Sequence, residues 1–251
     1  MTPVTDFALL VRHHRSMTTL TLSPDQTVGE IAAQRPASVR IFEAHHIDFC
    51  CGGRIPLSEA CGKLGTDPAA LLEEIERAAA SAPDDPTDWQ SASLPSLIDH
   101  IVNTHHIYLK SELPRLEAML DKILSKHAEK HGDVLTPLAA TFRPMKEELG
   151  SHLMKEEMIL FPLIRALAAG DKSTFHCGSV RNPIRVMLME HDSAGDALAR
   201  LRQLTSGFTP PEDACNTYRA FYYELSELES DLHRHIHLEN NILFPRAVEL
   251  E

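Results

Sequence analysis

The 251 residues, 43% of them hydrophobic, suffice for one large core or two smaller ones and predict a soluble globular protein. A formal charge of -12, from 36 acidic against 24 basic residues, excludes a general nucleic-acid binder, which needs clustered Lys and Arg to neutralise phosphates, and suits metal cations or small uncharged ligands. No stretch approaches the ~20 apolar residues that span a bilayer, the start (MTPVTDFALLVRHHRS) lacks the order of a secretory signal, and five unevenly clustered cysteines make a poor secreted framework, so the expected location is the cytoplasm.

Strand signals are weak and apolar residues recur at spacings of three and four, so the fold class is all-α. Residues 1–26 show no clear periodicity and read as an N-terminal extension. Short helices are expected over 27–35 (TVGEIAAQR), 37–45 (ASVRIFEAH) and 67–79, with Thr27 and Asp67 as N-caps. Between the last two lies DFCCGG, which sets the adjacent thiols of Cys50 and Cys51 before two turn-forming glycines on an expected exposed, flexible turn. Exposed thiols are reactive and suit metal binding, disulfide exchange or receipt of a cluster; the plainer alternative is two small half-buried loop residues. Cys61, Cys177 and Cys215 are assigned to packing. The linker-like stretch AAASAPDDPTDWQSASLPS places a domain boundary near Asp85, giving a small helical domain over 27–85 and a second domain over 86–251.

In the second domain the periodicity predicts four long helices, over 94–127, 134–169, 183–205 and 211–248, separated by GD, GDKST and SGFTPP turn signals. Four such helices with short or moderate loops form an antiparallel bundle. Thr209, Pro210, Pro211 and Glu212 read as a helix start, and Pro144, Pro162 and Pro245 should each kink or end the helix that contains them.

Fifteen histidines are the anomaly of the composition, and histidine is the commonest protein metal ligand. The second and fourth helices repeat one pattern, HxxxExxILFP, as His152 to Pro162 and His235 to Pro245. The first and third helices repeat another: His106 precedes Leu113, Arg115 and Leu116 at the offsets by which His191 precedes Leu198, Arg200 and Leu201. Each half of the bundle therefore offers one His and one HxxxE, the mark of a duplicated helix pair. Residues four apart share a helix face, roughly 6 Å apart at Cβ, so His152 with Glu156 and His235 with Glu239 converge. Two buried carboxylates facing each other are costly unless cations compensate them. Two imidazoles per metal with carboxylates able to bridge suit iron or manganese in a bundle core. Taken alone, HxxxE is most often a solvent-side ion pair; repetition favours six ligands, His106, His152, Glu156, His191, His235 and Glu239. His100, His105, Glu157, Glu190, Asp192, His233 and His237 are neighbours that a one-residue phase error would bring in, and His127 and His131 are read as structural, with His127 within reach of the site's mouth.

HxxxEExILFP, HxxLENNILFP and the earlier DFCCGG together resemble the iron-sulfur cluster repair di-iron proteins (the RIC family), over roughly residues 27–246. The C-terminal half alone resembles only a hemerythrin-like domain. The resemblance implies that the same six residues bind two irons, with Glu156 and Glu239 bridging, and that the protein repairs iron-sulfur clusters damaged by nitric oxide or oxidants by releasing iron to the damaged proteins, the cysteine pair taking part. A nitric oxide reductase and a hemerythrin-like carrier or sensor of oxygen or nitric oxide are the competing functions; a homodimer is compatible with all three.

Overall fold

A computed structural model describes residues 22–81, 88–171 and 178–251. The extension before residue 22, the boundary near Asp85 and Cys177 lie outside the described residues. Among those described the structure is all-α, with one isolated antiparallel bridge between Thr27 and Pro56.

Four short helices come first: α1 (Val28–Gln34), α2 (Ser38–Ala44), α3 (Leu57–Leu64) and α4 (Pro68–Ser81). Thr27 closes a capping box with Glu30, and the Asp67 carboxylate accepts the Ala69 N–H, so both expected caps form. The helix α3 was not anticipated; its buried Leu57, Ala60 and Cys61 span little more than one turn, and Gly65 ends it with φ of 68°. Val28, Ile31, Phe42, Phe49, Leu57, Leu71 and Ile75 form one apolar cluster that reaches Ile236 in the long-helix region.

The remaining elements are α5 (Leu94–Ile101), α6 (Ile107–Lys155), α7 (Phe161–Ala168), α8 (Arg181–Leu204), α9 (Asn216–Leu238) and α10 (Phe244–Glu249). Three π-helical turns, Val102–His106, Glu156–Leu160 and Glu239–Leu243, join α5 to α6, α6 to α7 and α9 to α10. The 49-residue α6 is two antiparallel helices: only His131 leaves helical φ/ψ, and Lys146 pairs with Glu117 and Arg143 with Asp121 across the fold-back. Four rods result, α5 with the first part of α6, the rest of α6 with α7, α8, and α9 with α10. They form the expected four-helix bundle, around Leu113, Leu116, Phe142, Leu198, Phe221 and Leu225.

Three expectations are corrected. Pro144 neither ends nor breaks helical φ/ψ in its helix; the cost of one missing hydrogen bond is absorbed by the burial of Phe142, Met145 and Leu149 around it. Pro162 and Pro245 do not end their rods either, since each sits in the first turn of α7 or α10, directly after a π turn. The fourth helix starts at Asn216, not near Pro211: Ser206, Gly207 and Phe208 take positive φ, and Ala214 N–H bonds Pro211 O in a separate turn. No helix among the described residues is long and apolar enough to cross a membrane.

Candidate metal centre

The duplicated pattern folds so that each half completes the other. His106 closes the π turn after α5, His191 lies in regular α8, and His152 and His235 lie in the last turns of α6 and α9, with Glu156 and Glu239 opening the π turns that follow. His106 pairs with His235, their Nε2 atoms 3.2 Å apart, and His152 with His191 at 3.0 Å. The phenylalanines of the two ILFP segments stack on the lone histidines, Phe161 on His106 and Phe244 on His191.

All six side chains are buried, Glu156 and Glu239 completely. Glu156 sets Oε2 3.4 Å from His106 Nε2 and Oε1 3.3 Å from His152 Nε2. Glu239 sets Oε1 3.2 Å from His235 Nε2 and Oε2 3.2 Å from His191 Nε2. Two four-atom groups follow, His106, Glu156, His235 and Glu239, and His152, Glu156, His191 and Glu239, each with its donor atoms within 4.8 Å of one another and with both carboxylates common to the two. Imidazole nitrogens 3.0 to 3.2 Å apart are spaced like neighbouring ligands about 2.0–2.1 Å from one ion. The four carboxylate oxygens are buried without a hydrogen-bond donor among the described residues. Such oxygens are costly to leave uncompensated, and a set of nitrogen and oxygen donors with no thiolate suits a first-row divalent cation. The residues fit a metal pair.

The charges respond to this crowding. Burial pushes the His152 pKa down, but Glu156 and Glu239 outweigh it and raise it to about 9; His106 is raised in the same way. Burial opposes ionisation of Glu239, yet His235 and His191 hold it well below the usual carboxylate range. His235 goes the other way, burial lowering its pKa against the pull of Glu239.

A second ring of contacts orients the imidazoles. His106 Nδ1 donates to Glu157, itself held by Lys110, at 2.8 Å; His152 Nδ1 donates to Glu190, held by Lys155, at 2.8 Å; His191 Nδ1 donates to Asn240 Oδ1 at 2.7 Å. Glu157 and Glu190, considered as alternative ligands, are instead partners of ligand-like histidines. Asn240 was missed, because an asparagine beside HxxxE carries no signal of its own. His105 bonds Asp231 and His237 bonds Asn241; neither joins the two groups, and His100, Asp192 and His233 also stand outside them. His127 sits at the far end of the bundle, beside Cys215 and Tyr218, roughly 25 Å along α9 from His235, so it does not reach the site's mouth. Cys215 is exposed at the start of α9 and Cys61 is buried; packing describes only Cys61.

The cysteine turn, residues 50–53, is only partly exposed, at Gly52, and it is not loose. Asp48 accepts three backbone N–H groups, from Cys50, Cys51 and Gly52, at 2.9, 3.0 and 2.8 Å. Gly53 approaches Phe49 O so closely that a Cβ would lie 2.5 Å from it. Asn240 and Asn241 Nδ2 donate to Cys50 O and Phe49 O, tying the turn to the π turn that carries Glu239. Cys50 is buried and Cys51 half-buried, their Sγ atoms 3.7 Å apart, and Cys51 Sγ donates to the carbonyl of His191 at 3.3 Å. The contact with Cys51 and burial push the Cys50 thiol well up, which opposes the reactive thiolate. Both thiols line a cavity of about 260 Å³ with Asp48, Phe49, Gly195 and His233. A much smaller cleft, about 10 Å³, reaches His152 and His191 between Leu149 and Ala194.

Residues 97–247 match the hemerythrin HHE cation binding domain, and residues 24–79 match a domain of unknown function, DUF542. The iron-sulfur cluster repair protein YtfE of Yersinia pseudotuberculosis serotype IB (strain PB1/+) is 40% identical over 227 residues, covering 90% of this chain and 98% of that protein. The protein of the same name from Yersinia pestis (strain Pestoides F) matches with the same identity and coverage. The chain belongs to the iron-sulfur cluster repair protein family, with a hemerythrin-type cation-binding bundle behind a DUF542 domain.

Proposed function

We propose that His106, His152, Glu156, His191, His235 and Glu239 hold two iron ions and that the protein donates iron to iron-sulfur clusters damaged by nitric oxide or oxidants. The observation that carries this reading is the sharing of Glu156 and Glu239, each with one oxygen in either donor group and none satisfied by a hydrogen-bond donor among the described residues. The name of the relatives supplies the task, cluster repair. Bound iron supplies redox chemistry and the material of a cluster; the chain's own part is to keep the donors preorganised and compensated. Glu157, Glu190 and Asn240 fix the tautomers of three histidines so that Nε2 faces inward. The leucines and phenylalanines around the pair exclude water, and carboxylate sharing lets one ion leave without stranding two bare carboxylates. The N-terminal domain's Cys50 and Cys51, the latter hydrogen-bonded to the His191 carbonyl, are assigned to the transfer step rather than to holding the pair.

Metal analysis and Mössbauer spectra test this directly. Two coupled irons per chain, and recovery of a cluster-damaged dehydratase incubated with the loaded protein, are expected; zinc, or loaded protein that restores nothing, overturns the proposal. A second reading is reduction of nitric oxide, which would reach the pair by the narrow cleft at His152 and His191. Coupling two nitric oxide molecules to nitrous oxide and water consumes two electrons and two protons, and nitrous oxide evolved by the reduced protein would establish it.

A further inference from the structure

The four ligand-like imidazoles are not held alike. His106, His152 and His191 each donate Nδ1 to an acceptor 2.7 to 2.8 Å away, two of them carboxylates. His235 does not: its Nδ1 is buried and has no hydrogen-bond partner among the described residues. What backs that ring is His105, stacked on it with centroids 5.5 Å apart and planes 8° from parallel. His105 is in turn fixed by Asp231, whose Oδ1 lies 2.8 Å from His105 Nδ1.

The difference has a direction. A charge-assisted hydrogen bond at the second nitrogen restrains a ring's rotation and raises its basicity toward a metal, and its loss costs typically 10–100-fold in metal affinity. A stacked neighbour limits tilting but lets the ring slide in its own plane and adds no basicity. His235 shares its donor group with His106, whereas the other group holds two clamped histidines, His152 and His191.

We infer that the ion held by His106 and His235 is the exchangeable one of the pair, and that His105 and Asp231 are positioning residues that set how fast it leaves. This rests on the two-iron reading above and adds an order to it. Departure of that ion leaves Glu156 and Glu239 still engaged with the ion at His152 and His191, so the first release avoids exposing two uncompensated buried carboxylates to each other. The protein then gives up one iron readily and retains the second.

The test is release of ferrous iron from the anaerobically loaded protein into excess bipyridyl chelator. Two phases of one ion each are expected, with rates about tenfold or more apart. His235→Ala should keep one ion that leaves at the slow rate, and His152→Ala one ion that leaves at the fast rate. His105→Leu and Asp231→Ala should speed the fast phase and spare the slow one, while Asp231→Asn, which keeps an acceptor for His105, stays near wild type. Two ions leaving in a single phase, the reverse assignment in the ligand variants, or acceleration of the slow phase by His105→Leu overturns the order of release alone. Loading of fewer than two ions overturns the two-iron reading and this assignment with it.

Discussion

Glu156 and Glu239 face each other across the bundle, each with its two carboxylate oxygens divided between the same two histidine pairs. They come from opposite halves of a duplicated sequence, so neither half contains a complete donor group: His106 of the first half meets His235 of the second, and His191 of the second meets His152 of the first. Interleaving makes the two groups depend on the packing of all four rods, which separate domains of one helix pair each could not reproduce.

Removing a shared carboxylate should therefore differ from removing one histidine. Glu239→Ala is expected to lower bound metal below one ion per chain, because both groups lose a donor, whereas His191→Ala is expected to retain about one. Elemental analysis of the purified variants distinguishes them, and full loading of Glu239→Ala would remove it from the ligand set.

The raised pKa values of His152, about 9, and His106 set opposite pH trends for metal binding and for the stability of metal-free protein. A metal binds the neutral imidazole, so binding near pH 7 must displace protons, and affinity should climb as pH rises toward 9. Calorimetry in buffers of different ionisation enthalpy would read the protons released, expected at one or more per chain at pH 7. For metal-free protein the sign reverses. A folded pKa above the unfolded 6.5 contributes stability that is complete below pH 6.5 and lost as pH rises to about 9. The depressed Glu239 and Glu156 contribute stability present above about pH 4.5 and lost on acidification through their folded values. His235, His233 and His237, whose pKa values burial lowers, act in the opposite sense, their contribution falling as pH drops below 6.5. Thermal unfolding of metal-free protein should accordingly peak near pH 6.5 and weaken toward pH 9.

Replacing Cys50 and Cys51 together by Ala should leave the metal pair in place, since the six bundle residues need no thiol. The lost Cys51 hydrogen bond to His191 O costs about 1 kcal/mol, visible as a lower unfolding midpoint at unchanged metal content. Loss of iron from this variant would mean that the N-terminal domain helps to hold the centre and would refute the division of labour between the two domains.

The convergence of the six site residues is legible in the sequence because it rests on helix periodicity: His and Glu four apart, twice, followed by ILFP, can face only one way along an amphipathic rod. The fold-back at His131 is legible too, from the Gly132-Asp133 signal that follows it. The π turns are not. Each depends on where a rod must widen so that His106, Glu156 or Glu239 reaches the shared centre, a demand set by neighbouring rods rather than by local propensity. Burial of the cysteine pair is equally hidden, because Asn240 and Asn241, which tie down Phe49 and Cys50, lie about 190 residues further on. The short α3 escapes because little more than one turn of apolar spacing resembles a loop until it joins the cluster that holds Phe42 and Ile75.

Asp48 is the residue whose loss should expose that hidden part. Its carboxylate accepts the N–H groups of Cys50, Cys51 and Gly52, so Asp48→Ala leaves three donors of the turn without their acceptor. A loss of about 1–2 kcal/mol is expected, as for removal of a helix cap. Asp48→Asn keeps one acceptor oxygen, and its effect should fall between wild type and Ala. Hydrogen exchange should quicken at residues 50–52 in Asp48→Ala while metal content stays constant, because none of the six bundle residues touches Asp48. Unchanged exchange there would mean that Asn240 and Asn241 alone hold the cysteine turn against the bundle, and the stability of the turn would then be governed from α9 and the π turn after it rather than from its own sequence.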